Sequence, residues 1–231
     1  MQSLSTGDAI KKRDCLIKPE INGNTGGGMC GRYYVDDDTA REIEKLVRQV
    51  DEKMRGTAAA GRVEIAAKDI RPTETAPILA ASGSALECRQ QRWGFPGFRK
   101  GQVIFNARSE SVMEKPMFRE VVMHRRVVVP AAWFYEWNRN KQKYTFSRKD
   151  RDALFMAGCY RKYGDGDRFV ILTTQANASM EPVHDRMPLI LERDEAVDWL
   201  LEDSMAEELL RKLPPLLERR AEYEQMSLFD T

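Results

Sequence analysis

Polar residues dominate the first 28 positions of the chain, and no apolar periodicity there ties the segment to a core. With a KKR run and the stretch NGNTGGG, residues 1–28 are expected to be a disordered leader, a mis-assigned start or a removed segment, ahead of one domain over 29–231. The first regular pattern is VDDDTAREIEKLVRQVDEKM. It offers aspartates as an N-cap, sets Ile43, Leu46, Val47, Val50 and Met54 on one helical stripe, and meets Gly56 as a stop. A helix packed on a core follows from that spacing. Between Gly61 and Ser84, Pro72 and Pro77 predict a loop leading into a short strand. Runs rich in Val, Ile, Phe and Tyr predict strands at Val103–Phe105, Arg126–Val129, Tyr144–Phe146, Leu154–Tyr160 and Phe169–Thr174. Near the end, EAVDWLLEDSMAEELLRKL places Val197, Leu200, Leu201, Leu209 and Leu210 at helical spacing before Pro214 and Pro215, which predicts a peripheral helix. The simplest assembly is a single α+β domain whose body is an antiparallel, β-rich sheet.

Composition narrows the function classes. Across 231 residues, 37 Lys and Arg stand against 36 Asp and Glu, so a nucleic-acid surface must be local rather than a global basic excess. Cysteines at 15, 30, 88 and 159 lack CxxC spacing, and only His124 and His184 are available beside them. A zinc site has little support, no metal or cofactor is expected, and the cysteines read as reduced thiols. No apolar run has the length of a membrane span and no signal-peptide core is present, so a cytoplasmic location without membrane attachment is expected.

Candidate chemistry gathers in four segments: MCGRYY, WGFPGF with FNARSE, VVVPAAWFYEW, and NASMEPVHDRMP. In the first, translation from Met29 followed by methionine removal makes Cys30 the N-terminal residue. Such a cysteine carries an amine and a thiol on adjacent carbons, so it can condense with an aldehyde and close a thiazolidine ring. Its α-amine titrates near about 7.7–8.0, well below a lysine, and needs little tuning to act as a nucleophile. Glu136, among Trp133, Phe134, Tyr135 and Trp137, reads as a partly desolvated acid/base group or, equally, as a solvent-facing glutamate on an edge strand. His184 follows a proline-containing turn beside Asp185 and Arg186, which suggests a polar cleft; a structural histidine in a hydrogen-bonded loop is the other reading. Asn106 can orient an amine or carbonyl, and Arg108 shares its face if the segment is extended; it serves either a phosphate or a surface ion pair with Glu110. Trp93 and Phe95 form a stacking wedge or a core corner. NRNKQKYTFSRKDR has six basic residues against one Asp, and His124-Arg125-Arg126 adds a shorter basic patch; both suit a nucleic-acid backbone or an ordinary charged hairpin.

MCGRY, NARSE, FYEW and HDRMP, in this order from Met29 onward, resemble the SOS response-associated peptidase (SRAP) family, whose members sense abasic sites in single-stranded DNA. The resemblance implies a barrel-like SRAP core and a substrate that neither charge nor periodicity supplies. It implies that Cys30 attacks the ring-opened aldehyde of an abasic deoxyribose and ends as a stable thiazolidine. Asn106 then positions the amine and the sugar, Glu136 moves protons, and His184 assists opening of the sugar. Arg108, Trp93 and Arg32 of MCGRYY are the implied DNA-binding residues. The expected partner is single-stranded DNA containing abasic sites, met by a monomer that associates with the nucleoid when acting.

The chain departs from the family pattern in two ways. A cysteine at position 30 can react in this manner only if Met29 is the true start or residues 1–29 are removed. The run between WGFPGF and FNARSE is also short, leaving less loop to contact DNA. Two competing readings remain at this stage: a cysteine peptidase, chiefly autoproteolytic, using Cys30 with His184, and a non-covalent reader of single-stranded or modified DNA.

Overall fold

In the computed structural model, which describes residues 31–55 and 65–222, a short strand β1 (Tyr33–Val35) leads into α1 (Asp37–Arg55). Asp36 caps this helix, its carboxylate accepting the Thr39 N–H at 2.8 Å. Ile43, Leu46, Val47 and Val50 are buried, so the stripe meets the core as its spacing requires. The Met54 side chain and Gly56 lie outside the described residues.

The chain continues through β2 (Lys68–Ile70), β3 (Thr75–Ser82), β4 (Ala85–Trp93), β5 (Phe95–Pro96), β6 (Val103–Ile104) and β7 (Asn106–Arg108). After α2 (Ser109–Val112) and α3 (Pro116–His124) come β8 (Arg126–Ala131), β9 (Trp133–Trp137), β10 (Lys143–Ser147), β11 (Leu154–Tyr163) and β12 (Gly166–Gln175). The last elements are β13 (Arg186–Pro188), β14 (Ile190–Leu191), α4 (Arg193–Leu201), α5 (Ala206–Leu209) and β15 (Glu218–Ala221).

One sheet runs β15-β10-β9-β1-β2. In the other, β12 pairs with β4 and with β11, β4 with β3, β3 with β8, and β8 with β11. That path returns to its start. It closes a small barrel, antiparallel except for the parallel β12–β4 pair, and closure removes the free edges of an open sheet. β8 is buried along its whole length, so its RVVVPA sequence shows no polar alternation. The architecture is thus the expected α+β, antiparallel-rich and barrel-like single domain.

Three local expectations need correction. Residues 75–82 form a central strand rather than mostly loop, because Pro77 costs no bond toward β8: that pairing involves only Leu79 and Ala80. β4, which pairs with β3 along its length, lies in a charged segment whose apolar alternation is too broken to announce a strand. The C-terminal helix is interrupted, α4 and α5 being separated by a 3-10 turn at Asp203–Met205. It is a peripheral helix whose apolar side is turned onto the barrel. Trp199 is fully buried and its indole N–H bonds Val127 O at 3.0 Å.

The buried Arg126 explains that interruption. Its guanidinium donates to Met123 O (2.6 Å) and Val122 O (3.2 Å) at the end of α3, to Trp199 O near the end of α4, and to Asp203 (2.6 Å) in the turn. One side chain therefore satisfies the terminal carbonyls of two helices. Its neighbour Arg125 pairs with Glu120 at 2.8 Å. The His124-Arg125-Arg126 patch is thus largely structural. Arg126→Ala is expected to destabilise the fold by about 3 kcal/mol, because several buried carbonyls lose their donor, whereas Asp203→Asn, at an exposed carboxylate, costs under about 1 kcal/mol. Urea unfolding of the two variants against the parent chain measures both.

Candidate active site and nucleic-acid interface

The C-terminal half of β12 gathers two of the four motifs. On one side β7 runs parallel to it, with Asn106 opposite Ile171 and Arg108 opposite Thr173. On the other, β13 runs antiparallel, with Pro188 opposite Thr173 and Arg186 opposite Gln175. NARSE and HDRMP thus flank a single strand. Asn106 and Arg108 share a face because the buried Ala107 between them points the opposite way.

Arg108 is exposed, and among the described residues it forms no ion pair. Its expected local partner is engaged elsewhere: Glu110 takes a bidentate grip from Arg186, Nη1 to Oε1 at 2.6 Å and Nη2 to Oε2 at 2.9 Å. Arg186 also donates to Thr173 O at 2.8 Å, which pins the guanidinium against β12. Partial burial alone would raise the Glu110 carboxyl, but the Arg186 bonds hold it below the ordinary glutamate range. The alternative Arg108–Glu110 surface pair is therefore not formed. Arg108 acts on Glu110 through its charge alone, and its exposed guanidinium shares one strand face with the Asn106 amide.

His184 is oriented by the backbone that follows it. The Arg186 N–H points at Nδ1, 3.1 Å away, while the Asp185 carboxylate lies 2.9 Å from the same nitrogen. A backbone N–H can only donate and cannot turn away; the Asp185 side chain is 88 % exposed and can. The fixed donor decides, so in neutral His184 Nδ1 is the acceptor and Nε2 carries the proton. The loop itself is held by the buried Asn177, whose amide donates to Pro214 O and Pro215 O at 3.0 and 2.9 Å.

Glu136 belongs to the other sheet. It sits on β9, which pairs with β10 on one side and β1 on the other, so this is a central strand and not an edge. Only 6 % of Glu136 is exposed, and its Oε1 accepts the Trp137 N–H at 3.1 Å. A carboxylate withdrawn from water in this way is the partly desolvated group that the aromatic run suggested.

The two sheets meet through Trp93. This residue has no exposed surface, so in this structure it presents no face for a base to stack on. Its ring lies 5.1 Å from that of Tyr33 on β1 and parallel to Phe169 on β12 at 6.3 Å, and its indole N–H bonds Phe105 O at 2.8 Å. Phe105 immediately precedes Asn106. Trp93 therefore bears on the site through the placement of β7, and Phe95, also fully buried, belongs to the core.

Arg32 is likewise committed. It ion-pairs with Asp69 across β1 and β2, its guanidinium lies 5.1 Å from the centre of the Tyr135 ring, and its carbonyl accepts the Tyr135 N–H at 2.9 Å. Burial alone would raise Asp69, but bonds from Arg32 and Tyr135 bring its carboxyl below the usual range. The basic hairpin is partly neutralised too, Lys143 pairing with Glu222 and Arg148 with Asp150 and Glu192. Cys30 lies outside the described residues, as does Cys15. Burial pushes the Cys88 thiol up to about 11 and raises Cys159 as well, so neither is a ready thiolate. Among the described residues no metal-binding cluster of His, Cys, Asp and Glu is present, and no helix is long and apolar enough to cross a membrane.

Sequence reasoning overlooked the roles of Glu110, Arg186 and Asp69. Arg186 falls two positions after His184, and a bidentate partner for it inside NARSE becomes visible only once β12 brings the two segments together.

The sequence profile of the SOS response associated peptidase (SRAP) family matches residues 29–228. The chain is 32 % identical over 159 residues to the abasic site processing protein YoaM of Bacillus subtilis, covering 63 % of this chain and 70 % of YoaM. It is 24 % identical over 189 residues to the abasic site processing protein YedK of Escherichia coli, covering 78 % of this chain and 83 % of YedK. A crystal structure of a Bordetella bronchiseptica protein superposes with a TM-score of 0.67 at 23 % identity, over 83 % of this chain and 99 % of that one, and shares its fold. The motif order, the strand that brings NARSE and HDRMP together, and the profile match over residues 29–228 agree, and the chain belongs to the SRAP family.

Proposed function

We propose that this protein covalently captures the aldehyde of abasic sites in single-stranded DNA through Cys30, once that residue carries a free α-amine. The observation that carries the reading is the placement of Asn106 and an exposed Arg108 without an ion pair on one face of β7, beside the strand that holds the HDRMP segment. An exposed guanidinium suits a phosphate flanking the lesion. The adjacent amide suits a sugar oxygen or an amine.

The chemistry needs no cofactor. His184, its proton on Nε2, donates to the ring oxygen as the C1–O bond breaks, while the anomeric hydroxyl gives up its proton to water and the abasic sugar opens to its aldehyde. The neutral Cys30 amine adds to the aldehyde carbon, giving a carbinolamine. Glu136, in its protonated form, donates to the departing hydroxyl, which leaves as water, and its carboxylate takes the proton from nitrogen as the imine forms. The Cys30 sulfur then adds to the imine carbon while its proton passes to nitrogen, closing the thiazolidine. In sum, aldehyde and aminothiol yield a ring and one water. The product shields an aldehyde that would otherwise undergo β-elimination and strand breakage; strand cleavage by way of the imine is a side activity. Arg32 and Trp93, assigned to DNA by resemblance, act in this scheme by positioning: Arg32 anchors the start of β1 through Asp69, and Trp93 sets β7.

Protein translated from Met29, with methionine removal confirmed by mass, is expected to form a heat-stable band with a single-stranded oligonucleotide bearing one abasic site, and Cys30→Ala is expected to abolish it. A non-covalent reader would bind without any such band. An autoprotease would instead cleave the full chain before Cys30 and stop doing so in Cys30→Ala. Glu136→Gln is expected to slow crosslinking by roughly 100-fold or more while leaving affinity for a non-reactive abasic analogue intact; an unchanged rate removes Glu136 from the mechanism. Arg108→Ala should weaken that affinity and lower its salt slope by about one, as titrated by fluorescence anisotropy.

A further inference from the structure

Two groups compete for one nitrogen of His184. The Arg186 N–H, 3.1 Å from Nδ1, needs that nitrogen as an acceptor and leaves the proton on Nε2. The Asp185 carboxylate, 2.9 Å from the same nitrogen, favours the opposite tautomer, with the proton on Nδ1. The other bonds of this loop do not arbitrate: the His184 N–H goes to Met180 O at 3.1 Å, and Asp185 O accepts the Ala176 N–H at 3.0 Å. Both act on the backbone and neither distinguishes the two ring nitrogens. The outcome is decided by how firmly the Arg186 backbone is held.

Its own strand holds it weakly. Arg186 is the first residue of β13, which has three residues and ends in Pro188, a residue with no N–H to give. The side chain supplies the missing anchor. Its guanidinium, 13 % exposed, donates to both carboxylate oxygens of Glu110 at 2.6 and 2.9 Å, and to the carbonyl and hydroxyl of Thr173 at 2.8 and 3.2 Å. The bidentate half of that grip comes from Glu110 in the first turn of α2, so it ties β13 to the segment that follows Arg108. Partial burial alone would raise the Glu110 carboxyl, but the bonds and charge of Arg186 bring it below the ordinary range, and it stays an anion at neutral pH.

We propose that Glu110 is a positioning residue: by gripping Arg186 from α2 it holds the backbone N–H that keeps the proton of His184 on Nε2, against the pull of Asp185 toward Nδ1. The proposal rests on the capture reading above, in which that proton goes to the ring oxygen of the abasic sugar. Glu110 exchanges no proton itself. Its removal also takes a negative charge away from the exposed Arg108, so phosphates are held no less well without it. Binding and chemistry therefore part company in a Glu110 variant, which general damage to the fold would not produce.

The test uses the full chain for binding and spectroscopy and, for crosslinking, the chain translated from Met29. Two single-stranded oligonucleotides serve as substrates, one with an abasic site and one with an acyclic aldehyde that has no ring to open. Glu110→Ala is expected to slow crosslinking to the abasic site by about tenfold at saturating DNA, while binding a tetrahydrofuran analogue at least as tightly as the wild type. On the acyclic aldehyde its rate should match the wild type, since no ring oxygen there needs a proton. Adding Asp185→Ala should restore most of the lost rate, because the competing acceptor is gone. In a His184→Ala background, Glu110→Ala should cost nothing further. Nitrogen-15 spectra, with His184 assigned by its loss in His184→Ala, should show the Nε2–H tautomer in the wild type and a mixture in Glu110→Ala.

An equal defect on both aldehydes, a defect that adds to that of His184→Ala, or an unchanged tautomer overturns the positioning role. So does slower crosslinking accompanied by weaker binding, which marks Glu110 as a support of the fold. Failure at the two levels is distinguishable. Wild-type crosslinking that Glu110→Ala matches sinks this role alone, whereas a wild type that leaves the abasic site uncrosslinked sinks the capture reading and this role with it.

Discussion

The rest of the molecule depends on the setting of one indole. Trp93 is wholly buried between a ring from each sheet, and its N–H is satisfied by the carbonyl of the residue before Asn106. Removing such a side chain from a core ordinarily costs about 3–5 kcal/mol, and here it would also leave the Phe105 carbonyl without its donor. The next residue completes the arrangement. Gly94 takes a φ of +111°, its N–H bonds Phe169 O at 2.7 Å, and a Cβ at that position would stand 2.3 Å from Val103. The chain can thus leave β4, turn sharply and pass close to the hairpin only with glycine there. A tryptophan that reads in the sequence as a stacking wedge or a core corner is the joint between the sheet of Glu136 and the strand of Asn106.

The charged groups around the site follow an economy of pairing. Glu110 could have neutralised Arg108 from two positions away, but it binds Arg186 across β12 instead. The same Arg186 residue aims its backbone N–H at His184 Nδ1, so one position links the proton on the imidazole to the charge left open on Arg108. Arg32, Lys143 and Arg148 are all matched by carboxylates. Surface pairs of this kind contribute little to stability. Their effect is to decide which cations stay without an ion pair.

Much of this was legible in the sequence, for identifiable reasons. Ile43, Leu46, Val47 and Val50 announce α1 because a helix on a core needs that spacing, and β11 and β12 are dense enough in β-branched and aromatic residues to declare themselves. β3 and β4 were hidden by Pro77 and by charge, since central pairing is a tertiary property that overrides local preference. The break between α4 and α5 depends on Arg126, distant in sequence. Glu136 and Arg108 each admitted two readings until strand order and the Glu110–Arg186 grip were known. Cys30 lies outside the described residues.

The β5–β6 hairpin has a consequence for how such a protein can diverge. Its root is pinned by Phe95 and by the Trp93 bond to Phe105, while its tip touches solvent. Residues can therefore be gained or lost at the tip without displacing Asn106. β12 has no such freedom. A one-residue slip there would turn every side chain to the opposite face and unseat β7 and β13 together. Length variation among descendants of this fold should accumulate at the hairpin tip and be purged from the strand.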